Sequence, residues 1–305
     1  MSISKLRAEC LPLGDYTLRF ECSELGADFE QKAAQELRET PDVTEPAVAR
    51  LKALLAEEDD LNVPKDDEEF LYIFLRPCKF YPESAMKRMR SFYEFKLKQD
   101  RLVQQVMPHS VERPLNLQII TILPNRDQHG RRILLIHAGR RWKPSECSLD
   151  ELYSCVMLFL EIAVSEPRTQ IAGVNVILDL DGLSMTQAMQ FSPSFAKMLL
   201  HWVQDCIPIR LKAIHVVNQP YIFNMVFAIF KPFIKEKLRH RLHFHGRDRG
   251  SLLEHIEVKA LPTELGGIMN LPPPPADRMI ELLEAYEDIF EERRSQGYRR
   301  KDAST

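Results

Sequence analysis

Ile171-Ala-Gly-Val-Asn-Val-Ile-Leu-Asp179 is the most telling run of the chain. It is apolar and rich in β-branched residues, and too short and too punctuated for a helix, so it reads as a buried strand. A helix follows. Ser192 is its N-cap candidate and Pro193 occupies the first helical position, where a missing N–H costs nothing. Phe195, Met198, Leu199, Trp202, Val203 and Cys206 then recur on one face until Pro208. Leu211-Lys-Ala-Ile-His-Val-Val217 is a second strand, residues 221–230 form an apolar helix, and Leu242-His-Phe-His-Gly246 is a third strand. Strands alternating with helices imply α/β architecture with a mostly parallel, covered sheet.

Upstream, Arg132-Ile-Leu-Leu-Ile-His137 reads as a strand paired, antiparallel, with residues 115–123 across the turn-forming stretch 124–130. Ser148-Leu-Asp-Glu151 fits a capping box, opening a helix with Leu152, Val156, Phe159, Leu160 and Ala163 on one face. Before that the chain reads as a helical N-terminal layer. One helix spans residues 28–39 and stops at Pro41. A second is capped by Thr44, a third by Asp66, and a fourth is opened by Pro82. Residues 1–26 show no periodic pattern. Pro272-Pro-Pro-Pro275 is a stiff spacer before an amphipathic helix marked by Met279, Leu283, Tyr286 and Phe290, and residues 297–305 read as a mobile polar tail. The expected divisions are 1–26, 27–110, 111–270 and 271–305.

Composition bounds the possibilities. The chain has 305 residues, 45% apolar and 28% charged, with a net charge of -3, so no global basic field points to nucleic acid. Cys10, Cys22, Cys78, Cys147, Cys155 and Cys206 lack metal-ligand spacing, and Met1 to Asp15 lacks a signal-peptide core. Reduced thiols in the cytosol are the simplest expectation. No run approaches the roughly 18–20 apolar residues that span a bilayer.

The sharpest enzymatic signal is Asp179-Leu-Asp-Gly182, which resembles the nucleophile loop of haloacid dehalogenase phosphatases. Leu183 stands where that loop has threonine, and no second acidic pair follows a later strand. A strand-end turn with Asx hydrogen bonds is the plainer reading. No dinucleotide or P-loop motif occurs. His243 and His245 share a strand face, yet without a nearby cysteine or ligating carboxylate they make a poor zinc site. No metal, cofactor or catalytic set is expected.

Several fragments in fixed order carry a resemblance. They are Phe74-Leu-Arg-Pro-Cys-Lys-Phe80, Asp179-Leu-Asp-Gly182, Pro208, His215-Val-Val-Asn-Gln-Pro220, Lys231-Pro-Phe-Ile-Lys-Glu-Lys237, Leu242-His-Phe-His-Gly246 and Leu261-Pro-Thr-Glu-Leu-Gly-Gly267. Together, over about residues 65–270, they resemble the CRAL-TRIO lipid-binding family. The first of them resembles the family's Phe-Leu-Arg-Ala-Arg-Lys-Phe element. The resemblance implies a non-enzymatic carrier that encloses one hydrophobic ligand, such as a tocopherol, retinoid, carotenoid or phospholipid, in an apolar cavity. Matching to family members puts Tyr153, Val156, Leu160, Leu178, Phe191, Leu199, Trp202, Val203, Ile214 and Ile222 on the cavity wall.

The helix from Tyr221 onward is apolar on almost all sides, and such a helix is either core or meets lipid. Its position matches the family's gate, with Phe223, Val226, Phe227 and Phe230 as gate residues. From 231 to 249 seven Lys/Arg oppose Glu236 and Asp248, a local net of +5. Beside an apolar surface helix this reads as a dock for anionic headgroups. The resemblance places Arg210, Lys212, Lys237 and Arg241 at the family's phosphoinositide-binding positions, with Arg210 and Lys212 exchanging residue type. Lys237 and Arg241 share a face if their helix runs that far, and Arg210 and Lys212 can project the same way from a strand. Phosphatidylinositol bisphosphate is the expected membrane partner. Nucleic acid is disfavoured, since no base-stacking aromatics alternate with these charges. The expectation is a cytoplasmic, peripheral protein, transiently on membranes such as endosomes. The alternative is a phosphoinositide-binding endosomal trafficking adaptor whose surface site matters more than its cavity.

Overall fold

A computed structural model describes residues 10–21 and 25–299. Its centre is a five-stranded sheet of β1 (Ile120–Ile122), β2 (Arg132–His137), β3 (Val174–Asp179), β4 (Leu211–Val217) and β5 (Leu242–Gly246), in that spatial order. β1 and β2 pair antiparallel, and the remaining neighbours are parallel. Parallel neighbours require long crossovers, and each carries helix. Leu149–Ser165 and Pro167–Ala172 join β2 to β3, Met185–Ala188 and Pro193–His201 join β3 to β4, and Phe223–Phe230 lies between β4 and β5. When strand order follows chain order, right-handed crossovers put all these helices on one face.

Alternation divides the sheet's two faces. Leu134, Ile136, Val176, Leu178 and Val216 look toward the crossover helices. Ile133, Leu135, Ile177 and Val217 pack the other way, against Leu252, Ile256, Leu261 and Leu265. β4 is irregular where it enters beside β3: Val174 pairs with Leu211 but Asn175 pairs with Ala213, so Lys212 is an extra residue. The bulge resets the alternation, and Leu211 and Ile214, three apart, share the helix-side face. Gly173 makes the entry possible. Its φ is 91°, and a Cβ there would stand 2.2 Å from the Arg210 carbonyl oxygen.

Local signals start the helices as the sequence implies. Ser148 Oγ accepts from Glu151 N at 3.2 Å while Ser148 N donates to the Glu151 carboxylate at 2.8 Å, and Ser192 Oγ accepts from Phe195 N at 3.1 Å. The N-terminal helices are Ala27–Leu37, Pro41–Ala56, Glu68–Leu75 and Pro82–Lys98. They close over Leu51, Leu55, Phe70, Phe74, Met86, Met89 and Tyr93.

Other elements differ from expectation. Pro41 opens the second helix rather than ending the first, and Thr44 is buried inside it, because proline's fixed φ suits the first helical turn. Asp67, not Asp66, caps the third helix, accepting from Phe70 N at 3.2 Å. Of residues 115–123 only Ile120–Ile122 is strand. Glu112–Asn116 is a helical turn, and Gln118 at φ 52° breaks the extension. Residues 1–26, read as patternless, contain a hairpin of Cys10–Leu13 with Tyr16–Arg19. The C-terminal helix is two, Ala276–Glu284 and Glu287–Ser295. Leu11, Leu13, Leu18 and Phe20 of the hairpin are buried in one cluster with Met279, Leu283 and Tyr286, and Phe20 meets Tyr286 edge-on at 5.4 Å. Gly297–Tyr298, expected in a mobile tail, pairs with Leu61–Asn62; residues 300–305 lie outside the described set.

A buried ionic network ties the segment after the hairpin to the sheet. The fully buried Glu166 pairs with Arg132, lies 3.1 Å from Arg126, and accepts from Thr169 Oγ1 at 2.7 Å and from Glu21 N at 2.8 Å. Burial pushes this carboxyl up, but Arg132 and Arg126 outweigh it and hold it down at about 2.

Candidate functional site

Between the sheet and its crossover helices lies a cavity of about 280 Å³. The floor is the helix-side face of β2 to β5, including Leu134, Ile136, Val176, Val216 and Phe244. The walls come from Leu149–Ser165, Pro193–His201 and the turn after it, and Phe223–Phe230 closes one side. Among the described residues every lining residue is hydrophobic, and only Tyr153, Trp142 and Trp202 bring a polar side-chain atom. The expected residues Tyr153, Val156, Leu160, Leu178, Phe191, Leu199, Trp202, Val203 and Ile214 all border it. Ile222 does not: the helix starts one residue later, and Ile222 packs instead against the cluster of Leu180, Leu183, Val216 and Val226. Strand alternation would have found the floor residues Leu134, Ile136 and Val176. Nothing local points to Trp142, which arrives from a loop.

Phe223, Val226, Phe227 and Phe230 of the closing helix also line the cavity. In this helix only Val226 is buried. Phe223 and Phe227 are half-buried, 5.8 Å apart, and both lean on Phe244 of β5, at 6.0 and 5.2 Å. On the outside, Tyr221 is 91% exposed and Met225 42%. Met185 and Met189, on and just after the short helix Met185–Ala188 that packs beside this one, are 52% and 74% exposed. One thin helix thus separates an apolar interior from an apolar exterior patch.

The expected basic set is only partly open. Arg210 Nη2 and Lys212 Nζ both contact Glu36, from the first helix, at 2.6 and 3.3 Å. Burial raises the Glu36 carboxyl, and Arg210 and Lys212 bring it down to about 2. Arg241 donates to the Leu211 carbonyl. The helix Glu236–Arg239 ends short of Arg241, so a shared helical face with Lys237 does not arise; Arg241 N closes a turn on Leu238 O at 2.9 Å. Lys237 is exposed. Partial desolvation of its amine by the neighbouring chain, and then the cations Arg241 and Arg88, hold it below the usual lysine range. In the Phe74–Phe80 element, Arg76 is buried and structural, pairing with Glu39 at 2.6 Å and donating to Gln170 at 2.6 Å. Cys78 stands where the family element has its second arginine. Burial raises its thiol against the pull of Arg88.

The other candidates have structural roles. Asp179 accepts from Asn218 Nδ2 at 2.8 Å and from Asp181 N at 3.1 Å, an Asx turn, and lies 3.3 Å from His137 Nδ1. His243 and His245 are joined by His215 and His255 on the sheet face away from the cavity. His215 Nδ1 is 3.0 Å from His245 Nε2, and His245 Nδ1 is 2.8 Å from Ser251 Oγ. Burial, then His245 and His243, push His215 down to about 3; burial, then His255 and His243, push His245 down to about 4. His215 and His245 are therefore neutral at pH 7, and among the described residues no group of His, Cys, Asp or Glu could hold a metal ion. The five described cysteines are free thiols; Cys22 lies outside the described residues.

A mostly parallel sheet with its crossover helices on one face and an apolar cavity between them defines an α/β protein built around a cavity. Residues 116–267 match the CRAL/TRIO domain, and the chain belongs to this lipid-binding family. It is 34% identical over 248 residues to alpha-tocopherol transfer protein-like of Mus musculus, covering 81% of this chain and 72% of that protein. With the Homo sapiens protein of the same name it shares 33% over 266 residues, 87% and 77% of the two chains. With clavesin-1 of Rattus norvegicus it shares 32% over 251 residues, 82% and 70%. Among the described residues no helix is long and apolar enough to cross a membrane.

Proposed function

We propose that this protein is a lipid carrier that encloses one hydrophobic molecule, of the tocopherol, retinoid, carotenoid or phospholipid kind, and exchanges it with phosphoinositide-containing membranes. The carrying observation is the cavity of about 280 Å³ lined throughout by hydrophobic residues and separated from an exposed apolar patch by one helix. It has nearly twice the volume of a dry cavity of about 150 Å³ that binds benzene. A ligand of more than about a dozen heavy atoms therefore displaces the wall, and the least buried part of that wall is Phe223–Phe230. Each enclosed methylene contributes about 0.8 kcal/mol, which offsets the bilayer environment the lipid leaves. Membrane attachment is peripheral: Tyr221, Met225, Met185 and Met189 enter the interface while Lys237 and Arg241, with Arg88 beside them, meet phosphate. Glu36 covers Arg210 and Lys212, so these two join only if the headgroup displaces its carboxylate. Free thiols are in keeping with a cytoplasmic location.

The test is native mass spectrometry of the protein after incubation with a cell lipid extract. A stoichiometric apolar passenger is expected, and its absence refutes the carrier reading. The second reading, a phosphoinositide-binding endosomal trafficking adaptor, is favoured by the crowded cations around Lys237. It is chosen if liposome binding is tight while no passenger is held.

A further inference from the structure

The cavity's two unpartnered donors say what kind of lipid it takes. Tyr153 and Trp202 are 3% and 2% exposed and both line the cavity. Neither the Tyr153 hydroxyl nor the Trp202 indole N–H has a hydrogen-bond partner among the described residues. The contrast is the other tryptophan of the wall, Trp142, whose N–H donates to the Cys147 carbonyl at 2.9 Å. A buried polar group left unmade is costly, and native proteins rarely leave one without a use. The two rings meet edge-to-face at 5.2 Å, so both side chains belong to one region of the wall. Trp202 opens the single π-turn Trp202–Cys206 at the end of its helix, where Ile207 N bonds back to Trp202 O at 3.0 Å. Such insertions recur at functional positions.

We infer that Tyr153 and Trp202 form a polar anchor for a neutral hydrogen-bond-accepting oxygen, a carbonyl or hydroxyl, carried by an otherwise apolar ligand. This rests on the carrier reading and narrows it. Indole N–H only donates, so the ligand must offer an acceptor, while a phenol can donate or accept. One carbonyl oxygen has two lone pairs and serves both donors; a ligand hydroxyl accepts from Trp202 and can donate to Tyr153. Among the described residues no cation lines the cavity, so an ionised carboxylate meets no counter-charge from them. A pure hydrocarbon leaves both donors unmade. The two donors therefore favour chromanols, retinoid alcohols or aldehydes, and esters over hydrocarbon carotenes.

The full chain labelled with ¹⁵N at tryptophan tests this, because it has two tryptophans and so two indole signals. The probes are 2-dodecanone and n-tridecane, equal in heavy-atom count, delivered from phosphatidylcholine vesicles. The ketone should move the Trp202 N–H downfield, the alkane should not, and Trp142 should stay in place. The ketone-to-alkane affinity ratio should fall about tenfold in Tyr153→Phe and again in Trp202→Phe, one hydrogen bond's worth each. Tyr153→Phe removes a single oxygen and keeps the packing. Trp202 also borders a smaller void of about 30 Å³, room for a water. An N–H aimed there would leave its signal unmoved by bound ketone, and that result overturns the anchor. Equal binding of both probes, or an unchanged ratio in either variant, overturns it too while leaving the carrier reading intact. If neither probe nor any extract lipid binds, both fail.

Discussion

Replacing Phe223 and Phe227 together by aspartate separates a lid from a core helix. Both rings are half-buried and lean on Phe244. Full burial of a phenylalanine contributes about 3 kcal/mol at most, so half-burial contributes about 1.5, and two rings about 3. A domain stable by about 5–15 kcal/mol survives that loss. The membrane step is affected more. Aspartate in the apolar centre of a helix costs up to about 3 kcal/mol, so two cost about 6, a drop in insertion of about ten-thousandfold. The assay is transfer of a fluorescent tocopherol from phosphatidylcholine donor vesicles to acceptor vesicles, run beside urea unfolding of the same variant. Expected are loss of transfer and a cooperative unfolding curve shifted by about 3 kcal/mol. Val226→Asp is the contrast, because Val226 is the buried residue of the helix, and a charge placed there should unfold the protein. If the double variant is itself unfolded in buffer, Phe223–Phe230 is core. If it is folded and transfers at the wild-type rate, the lipid passes elsewhere.

Trp202, against the cavity, should change its fluorescence on lipid loading in a Trp142→Phe background, and an unchanged spectrum at saturating lipid counts against that placement. In liposome co-sedimentation, Lys237→Ala/Arg241→Ala should lose phosphatidylinositol bisphosphate binding more than phosphatidylserine binding, the binding should weaken with salt as charges are screened within about 8 Å, and Glu36→Gln should strengthen it by freeing Arg210 and Lys212; equal loss on both lipids reduces the site to general attraction. The histidine stack should make stability pH-dependent. His215 and His245 have folded pKa values of about 3 and about 4, below about 6.5 in the unfolded chain, so between those limits the unfolded chain binds more protons. His243 shifts the same way, Arg131 adds to the depression of His215, and Asp248 opposes that of His245. Stability is whole above pH 6.5 and falls below it, by about 3 kcal/mol from pH 7.5 to 5.5; urea unfolding at the two pH values checks this, and no difference refutes it.

What could be read in the sequence is what is local in the chain. Ser148 with Glu151, and Ser192 with Pro193, mark helix starts because a cap and its orphan N–H lie three residues apart. The strands β2 to β4 are legible because burial on both faces demands mostly apolar runs, and β5, at the sheet edge, as a short alternation of apolar residues with histidine. The walls from Leu149–Ser165 and Pro193–His201 follow from helical periodicity. The hairpin at Cys10–Arg19 was not legible: strands of four residues carry too little alternation, and its buried side chains find their cover in Met279, Leu283 and Tyr286, more than 250 residues later.

The same distance explains the rest of the site. Glu36 reaches Arg210 across 174 residues, and that contact decides which of the four expected cations are open. The bulge at Lys212, with Gly173 beside it, sets which side chains of β4 face the cavity, and a bulge is a property of two paired strands rather than of one. His215 and His255 join His243 and His245 only because β4, β5 and the segment after them stack. Periodicity and capping are fixed by neighbours within one or two turns of chain, so they leave a local mark. The charge left open on the basic surface, and the two donors left unmade in the cavity, depend on which distant groups arrive beside them, and packing alone decides that.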